Sequence, residues 1–314
     1  MANILNNLPR QNEMRTIKLI SAIAASCLAV SCAQGGNGTK DTATEKKDIA
    51  VQLYSVRDLI GSFGHNQSDY TVVLNALGKM GYTAVEAASY SDGKLYGKDP
   101  AQFKADVEAA GMKVLSSHIG RNLSAKELES GDFSESLAWW DGCIAAHKAA
   151  GMKYIVMPSM ETPKTLKGLQ TYCDYFNAIG RKCAEQGIAF GYHNHSFEFQ
   201  KIEDQVMYDY MLSHTDPAYV FFEMDVYWTV IADASPVEYF KKYPGRFKIL
   251  HIKDEKEIGQ SGMVGFDAIF NNTEVAGVEN IVVEVERYSY EDVERSMKES
   301  IDYLEAAPFV PVSY

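Results

Sequence analysis

The hydrophobic and polar positions from Ile49 onward repeat one arrangement along the chain. A segment with apolar residues at helical spacing ends in a glycine, and an apolar run rich in β-branched residues begins soon afterwards. Ala109-Ala-Gly111-Met-Lys-Val-Leu and Ala149-Ala-Gly151-Met-Lys-Tyr-Ile-Val are nearly identical examples. Because glycine readily takes the left-handed conformation that closes a helix, each repeat predicts a helix followed by a buried strand.

Eight apolar runs predict eight strands. They cover residues 49–55, 84–88, 114–119, 154–157, 188–195, 220–225, 247–253 and 281–286. The clearest helices are predicted over residues 133–150, 165–185 and 291–305. Asp99-Pro100 predicts a further helix start, since proline is favoured at the first helical position. This alternation predicts an α/β fold with a single (β/α)₈ TIM barrel over residues 49–314.

A doubly wound sheet is the competing α/β architecture. It requires a glycine-rich phosphate-binding turn after the first strand. The chain there reads Tyr54-Ser-Val-Arg-Asp-Leu, without any glycine. The barrel is therefore the preferred fold.

Residues 1–32 have the pattern of a bacterial export signal. Arg15 and Lys18 precede an apolar run, residues 19–30, that is too short to span a bilayer as a mature helix. Ala29-Val-Ser-Cys32 resembles a lipobox, whose cysteine is acylated after cleavage; Ala24-Ala-Ser-Cys27 is a weaker match, and an ordinary cleaved signal is the alternative. Residues 33–48 predict a flexible tether. We expect an exported protein on the periplasmic side of a bacterial membrane, which it contacts only through a lipid anchor at Cys32.

Net charge restricts the class of partner. The 314 residues carry a formal charge of −12. Residues 1–31 hold three basic residues and one acid, so removing their +2 leaves −14. A body this acidic repels polyanions, which excludes nucleic acid as a partner.

Three cysteines lie outside the export signal, at Cys143, Cys173 and Cys183. Their number is odd, and none of them forms a Cys-x-x-Cys pair. We therefore expect buried thiols, and neither a disulfide framework nor a zinc site.

Ionisable residues lie at the ends of most predicted strands. In a (β/α)₈ barrel the C-terminal ends of the strands meet at one face, where active sites form. His193 and His195 are two residues apart and leave the fifth strand on the same face. The ionisable residues at or near strand ends are Glu86, His118, His193, His195, Asp225, His251, Lys253, Glu284 and Glu286. Isolated surface charges would explain only a few of them.

From Ile49 to about Ala307 the chain resembles the xylose isomerase-like TIM-barrel family of sugar isomerases, epimerases, inosose dehydratases and endonuclease IV-type enzymes. The motifs are His193-Asn-His195, Glu-Met-Asp225-Val-Tyr-Trp, Leu-His251-Ile-Lys-Asp and Val-Glu284-Val-Glu-Arg. The resemblance implies one divalent metal ion (Mn²⁺, Co²⁺, Zn²⁺ or Mg²⁺) bound by His193, Asp225, His251 and Glu284. Many relatives carry glutamate where His193 stands, and Glu198 is the alternative ligand. Taken alone, Asp225 is equally compatible with a helix cap and His251 with a core histidine.

The resemblance also implies roles in chemistry and substrate binding. Glu284 is the expected base on one face of the substrate, His195 or His118 is the proton carrier on the other, and Lys253 is a further catalytic candidate. Substrate contacts are expected from Gln52, Arg57, Glu86, Tyr227, Trp228 and Glu286. Each of three of these residues also has a structural role as an alternative to substrate binding. For Arg57 the alternative is an ion pair with Asp58, and for Trp228 it is packing between helices. For Glu86 it is a supporting contact with His118.

The leading functional interpretation is a metal-dependent isomerase or epimerase that enolises a non-phosphorylated sugar or keto-sugar. Phosphate is disfavoured because no Arg/Lys cluster or glycine-rich turn follows strands seven or eight. A lyase or dehydratase acting on a keto-sugar or keto-glycoside is the first alternative, and a non-catalytic carbohydrate-binding lipoprotein is the second. The sequence leaves the oligomeric state open, and the negative charge argues against an endonuclease.

Cys32→Ala tests the predicted anchor. The wild-type protein should sediment with the membrane fraction, and the variant should be released because it lacks the acylated thiol. Cys27→Ala serves as the matched control and should behave as wild type. Wild-type protein recovered in the cytoplasm would contradict the prediction.

Overall fold

A computed structural model of the chain describes residues 46–60 and 70–314. The export signal, Cys32 and most of the tether lie outside these residues, so the lipid anchor stays a prediction. Within the described part of the chain, no helix combines the length and the hydrophobicity needed to cross a bilayer.

Eight parallel strands form one sheet that closes on itself. They are β1 (Ala50–Gln52), β2 (Ala84–Ala87), β3 (Lys113–Ser117), β4 (Tyr154–Met157), β5 (Ala189–His193), β6 (Val220–Asp225), β7 (Ile249–Lys253) and β8 (Asn280–Glu284). Their order is β3-β2-β1-β8-β7-β6-β5-β4. A single parallel bridge between His118 and Val156 joins the two ends of the sheet. The predicted (β/α)₈ barrel is confirmed.

The helices of the described residues surround this sheet. They are α1 (Arg57–Ile60), α2 (Tyr70–Met80), α3 (Pro100–Ala109), α4 (Ala125–Ser130), α5 (Ser134–Ala149), α6 (Leu166–Glu185), α7 (Met207–His214), α8 (Val226–Ile231), α9 (Pro236–Lys242), α10 (Phe266–Phe270), α11 (Thr273–Ala276) and α12 (Val293–Ala306). The glycines that were predicted to end helices have positive φ, for example 80° at Gly111 and 78° at Gly151.

Five strands, β1, β2, β3, β5 and β8, end one to three residues earlier than the sequence predicts. The sequence predicts the first strand over residues 49–55. In the structure β1 ends at Gln52, and a 3₁₀ helix covers Leu53–Val56. The Gln52 side chain accepts a hydrogen bond from the Tyr54 backbone N–H, which turns the chain out of the strand. β5 similarly ends at His193, so His195 lies in the loop that follows.

Alternation along the strands divides the barrel interior into an apolar half and a polar half. The half near the strand N-termini is filled by Ala50, Ala84, Leu115, Tyr154, Val156, Phe221, Ile249 and Val282. Residues two apart share one face of a strand, and the later inward positions are polar. These buried polar residues are Gln52, Glu86, Glu223, Asp225, His251, Lys253 and Glu284.

The chain enters the barrel at the apolar end. Lys47 Nζ donates hydrogen bonds to the carbonyls of Leu304 (2.9 Å) and Ala307 (2.6 Å), where α12 ends. The Asp48 N–H donates to the carbonyl of Val312 at 2.8 Å. Lys47 is 8% exposed. Lys47, at the end of the predicted tether, is thus packed against the barrel, and the exposed Asp48 is joined to it through its main chain.

The three remaining cysteines, Cys143, Cys173 and Cys183, are buried free thiols on α5 and α6. Burial raises the pKa of the Cys173 and Cys183 thiols to about 12. They are therefore protonated and unreactive at neutral pH. The predicted burial of these three thiols is confirmed.

Candidate active site

Four candidate ligands from four adjacent strands converge at the polar end of the barrel. Asp225 Oδ2 lies 3.9 Å from His193 Nε2 and 3.7 Å from His251 Nδ1. Glu284 Oε2 lies 3.7 Å from His251 Nδ1 on its other side. The strands β6 to β8 therefore place one imidazole and two carboxylates around one point, and His193 of β5 approaches this group through its 3.9 Å contact with Asp225.

Two of the atoms that face this point lack hydrogen-bond partners. Asp225 Oδ2 and His251 Nδ1 are buried and unpaired within the described residues. Leaving a buried polar group unsatisfied costs about 1–3 kcal/mol. A cation bound between them would remove this cost, and a mixed set of nitrogen and oxygen donors suits Mn²⁺, Co²⁺ or Zn²⁺. The residues present therefore fit a divalent metal ion.

Asp225 has a second role that the sequence left as an alternative. Its Oδ1 accepts a hydrogen bond from the Trp228 N–H at 2.8 Å and caps the N-terminus of α8. The cap uses one carboxylate oxygen and fixes the orientation of the other. Asp225 therefore caps a helix and presents Oδ2 to the ligand cluster at the same time.

Glu223 lies beneath the ligands, and the sequence analysis assigned it no role. Its Oε2 lies within hydrogen-bond distance of His118 Nε2 (2.5 Å) and of His193 Nδ1 (3.1 Å). Burial, followed by repulsion from Glu86, raises the pKa of Glu223 to about 7. The missed signal was the period of two in β6, where Phe221, Glu223 and Asp225 share the inward face.

Glu86 is the second carboxylate of this inner layer. It accepts hydrogen bonds from Gln52 Nε2 (2.9 Å), Ser116 Oγ (2.6 Å) and His251 Nε2 (3.2 Å). His118 Nε2 lies 3.1 Å from its Oε1. Burial opposes ionisation of Glu86, but the neighbouring imidazoles hold its pKa below the ordinary value. The predicted supporting contact between Glu86 and His118 is present.

Lys253 is enclosed by two carboxylates from the β8 end. Its Nζ lies 2.8 Å from Glu284 Oε2 and 2.6 Å from Glu286 Oε2. Burial would raise the pKa of Glu284, but the charges of Lys253 and His251 lower it to about 2. Glu284 therefore remains ionised across the physiological pH range.

A cavity of about 390 Å³ opens above the ligands. Its lining combines the aromatic rings of Tyr54 and Tyr90 with Pro158 and a group of ionisable side chains. The ionisable residues of the lining are His118, His193, His195, Glu284 and Glu286. Tyr90 belongs to a short hairpin after β2, Tyr90–Ser91 paired with Lys94–Leu95, which the strand pattern did not reveal. A cavity of about 410 Å³ at the other end of the barrel contains none of the candidate ligands.

Other residues expected to contact substrate lie outside the lining. Gln52 and Glu86 are fully buried in the inner layer. Arg57 donates to the carbonyls of Tyr54 (3.0 Å) and Glu286 (3.1 Å), so it braces the rim through main-chain contacts. Tyr227 is 6% exposed. The Trp228 ring lies 5.9 Å from the His195 ring and 5.6 Å from Lys253 Nζ, behind the cavity wall.

Residues 74–307 match the family model described as a xylose isomerase-like TIM barrel. The chain belongs to this family. A sugar phosphate isomerase/epimerase from Parabacteroides distasonis is 34% identical, with a TM-score of 0.76 over 84% of this chain and 100% of that structure. The 3-keto-D-glucoside 4-epimerase of E. coli shares the fold. It is 19% identical, with a TM-score of 0.58 over 83% of this chain and 100% of that structure.

Among curated relatives in this family, the inosose dehydratase of Geobacillus kaustophilus is 24% identical over 210 residues. The matched region covers 63% of this chain and 65% of that protein, which is less than two thirds of its length. An inosose dehydratase of Clostridium botulinum is 27% identical over 178 residues, or 52% of this chain and 57% of its own. The relatives are thus named for isomerase, epimerase or dehydratase activity.

Glu198 is held away from the ligand cluster of this family member. Tyr192 Oη donates to Glu198 Oε1, and the His195 N–H donates to Oε2, both at 2.8 Å. Neither group of possible metal ligands found among the described residues includes Glu198. Glu198 therefore supports the loop that carries His195, whereas His193 Nε2 lies 3.9 Å from Asp225 Oδ2.

Glu198→Gln should flatten the pH dependence of stability. Burial raises the pKa of Glu198 to about 8, above the value of the unfolded chain. The folded state thus retains a proton that the unfolded chain loses, so this contribution is full below about pH 4.5 and disappears as the pH rises towards 8. The expected slope is at most about 1.4 kcal/mol per pH unit for one proton.

Urea denaturation of both proteins between pH 5 and 8, in the presence of a chelator, measures this effect. The free energy of unfolding should fall less steeply with pH in the variant than in the wild type. Parallel profiles would contradict a raised pKa at Glu198. Glu257→Gln removes another buried carboxylate, one whose pKa is lowered, and should not reproduce the flattening.

Proposed function

We propose that the protein is a divalent-metal-dependent enzyme that enolises a non-phosphorylated sugar or keto-sugar and so isomerises or epimerises it. The observation that carries this proposal is the convergence of His193, Asp225, His251 and Glu284, with unpaired buried atoms facing one another below a cavity. The likeness to a sugar phosphate isomerase/epimerase supports the reaction class.

The four ligands would hold the ion at the base of the cavity. A bound divalent cation acts as a Lewis acid that polarises a substrate carbonyl and stabilises negative charge on its oxygen. Asp225 is oriented for this task by its helix cap, and Glu284 by Lys253. The protein thus presents fixed ligands on four rigid strands.

Acid–base groups lie on opposite sides of the barrel mouth. Glu284 ends β8, whereas His118 follows β3, with β1 and β2 between them. Glu284 is ionised and is proposed as the base. His118 Nε2 faces the inner carboxylates, so Nδ1 is the nitrogen available to substrate, and the His195 Nδ1 has no partner among the described residues. Either imidazole would carry the proton on the second face.

The charge of the cavity favours a neutral substrate. Glu284 and Glu286 line it, and none of its lining residues is Lys or Arg among those the structure describes. Lys253, the nearest buried cation, is already paired with both carboxylates. A phosphate group would therefore meet two carboxylates and no Lys or Arg side chain in the described lining, although the Parabacteroides relative is named for sugar phosphates.

A metal-dependent lyase or dehydratase acting on a keto-sugar or keto-glycoside is the second candidate. His193 Nδ1 is bonded to Glu223, and a metal at Nε2 would occupy its other nitrogen, so His193 would not serve as a second base. One carboxylate and a histidine suit removal of a proton and departure of a β-oxygen. The similarity to inosose dehydratases supports this alternative.

The metal content of the purified protein tests the centre directly. Wild-type protein should retain one divalent ion per chain after dialysis or reconstitution, measured by elemental analysis. Asp225→Ala and His251→Ala should reduce this below about 0.1 per chain, because each removes a ligand from a set of four. Asp141→Ala, a surface control paired with Lys182, should bind as wild type. A wild-type protein that takes up no ion would contradict the proposal.

Isotope exchange tests the chemistry. Candidate ketoses, aldoses and keto-glycosides should acquire deuterium next to the carbonyl in D₂O with Mn²⁺ or Co²⁺ present, as followed by NMR. Glu284→Gln should reduce exchange by about 100-fold or more, the usual scale for a general base. An isomeric product supports the isomerase or epimerase, and an unsaturated product supports the lyase. Sugar binding without deuterium exchange would indicate a non-catalytic carbohydrate-binding protein. It would contradict both the isomerase or epimerase and the lyase.

A further inference from the structure

We propose that Glu223 and Glu86 are positioning residues that set which ring nitrogen of each metal histidine faces the ion: Nε2 of His193 and Nδ1 of His251. This inference rests on the metal site proposed above and assigns roles to two residues that would not touch the ion. The inference also places the ion beside Asp225 and Glu284, and not in a second group of possible ligands that contains Glu223.

Two groups of possible ligands share His251. The outer group consists of Asp225, His251 and Glu284. The inner group consists of His118, His193, Glu223 and His251. His251 belongs to both groups, so a single bound ion would lie in one group or in the other.

The hydrogen bonds favour the outer group. His193 Nδ1 lies 3.1 Å from Glu223 Oε2, and His251 Nε2 lies 3.2 Å from Glu86 Oε1. An ionised carboxylate accepts only from a nitrogen that carries a hydrogen, so beside ionised glutamates a neutral imidazole holds its proton on the contacting nitrogen and its lone pair on the opposite nitrogen. These opposite nitrogens face Asp225 Oδ2 at 3.9 Å and 3.7 Å.

The two carboxylates are themselves held in place. Gln52 and Ser116 donate to separate oxygens of Glu86, and His118 Nε2 lies within ion-pair distance of both glutamates. Gln52 thus acts behind Glu86 and not on the substrate. A carboxylate that orients a ligating histidine also raises its basicity, and loss of such a partner typically weakens metal binding about 10- to 100-fold.

Metal affinity measured by chelator competition tests the positioning role. Glu223→Gln keeps an amide oxygen that can accept from His193, whereas Glu223→Leu keeps no acceptor. We expect one ion per chain in both, with Kd for Co²⁺ raised modestly by the first and about 10- to 100-fold by the second. Glu127→Gln is the matched control, since Glu127 is buried but contacts only Ser124 and Ser136. Its Kd should equal that of the wild type.

The bound nitrogen is read by ¹⁵N NMR of histidine-labelled protein loaded with Zn²⁺, a readout that a general loss of packing would not reproduce. Coordination through His193 Nε2 and His251 Nδ1 supports the inference. Coordination through His193 Nδ1 and His251 Nε2, with ion binding lost in Glu223→Leu and kept in Asp225→Ala, would place the ion in the inner group and overturn it. The Glu223 Oε1 atom has no hydrogen-bond partner among the described residues. An ion in the inner group would give this atom a partner, so the experiment has two distinguishable outcomes.

The remaining outcomes separate this inference from the proposed function. Unchanged Kd in both Glu223 variants, with binding still lost in Asp225→Ala, would overturn the positioning role alone. A wild-type protein that binds no ion under any condition would overturn the proposed function and this inference with it.

Discussion

The constraint on which the site depends is mutual compensation among ionisable groups inside the barrel. Glu86, Glu223, His193 and His251 are each at most 2% exposed. A buried charge without a partner is costly, and removing one member of a buried pair typically destabilises a protein by about 3–5 kcal/mol. The carboxylates and imidazoles therefore stabilise one another as a group, and their mutual contacts permit their burial.

Much of the barrel could be predicted because its signals are local. The glycines that close helices, the β-branched runs after them and the absence of a glycine-rich turn after β1 together indicate the fold. The proximity of His193, Asp225, His251 and Glu284 could be predicted because these residues end strands that converge, whereas their role as ligands stays a prediction. The convergence follows from the topology, because the carboxyl ends of parallel strands meet at one face when the strands close into a barrel.

The rest depends on contacts that span the chain. Glu223 lies inside a strand, and its partners His118 and His193 are 105 and 30 residues away. Gln52 has the polarity expected of a rim residue, but the turn after β1 and the Glu86 carboxylate hold it inside. Tyr90 reaches the cavity from a short hairpin without an alternating pattern. In each case the side chain's direction follows from a tertiary partner that periodicity does not show.

The attachment of Lys47 to the end of α12 has a consequence for access to the cavity. Strand β1 begins at the apolar end of the barrel and runs towards the ligands, so the polypeptide ahead of Lys47 joins the body on the side away from the mouth. A segment fused ahead of Lys47 would therefore be joined to the barrel at the end opposite the cavity. The residues that line the cavity follow the C-terminal ends of the strands, so the point of attachment and the cavity lie at opposite ends of the barrel.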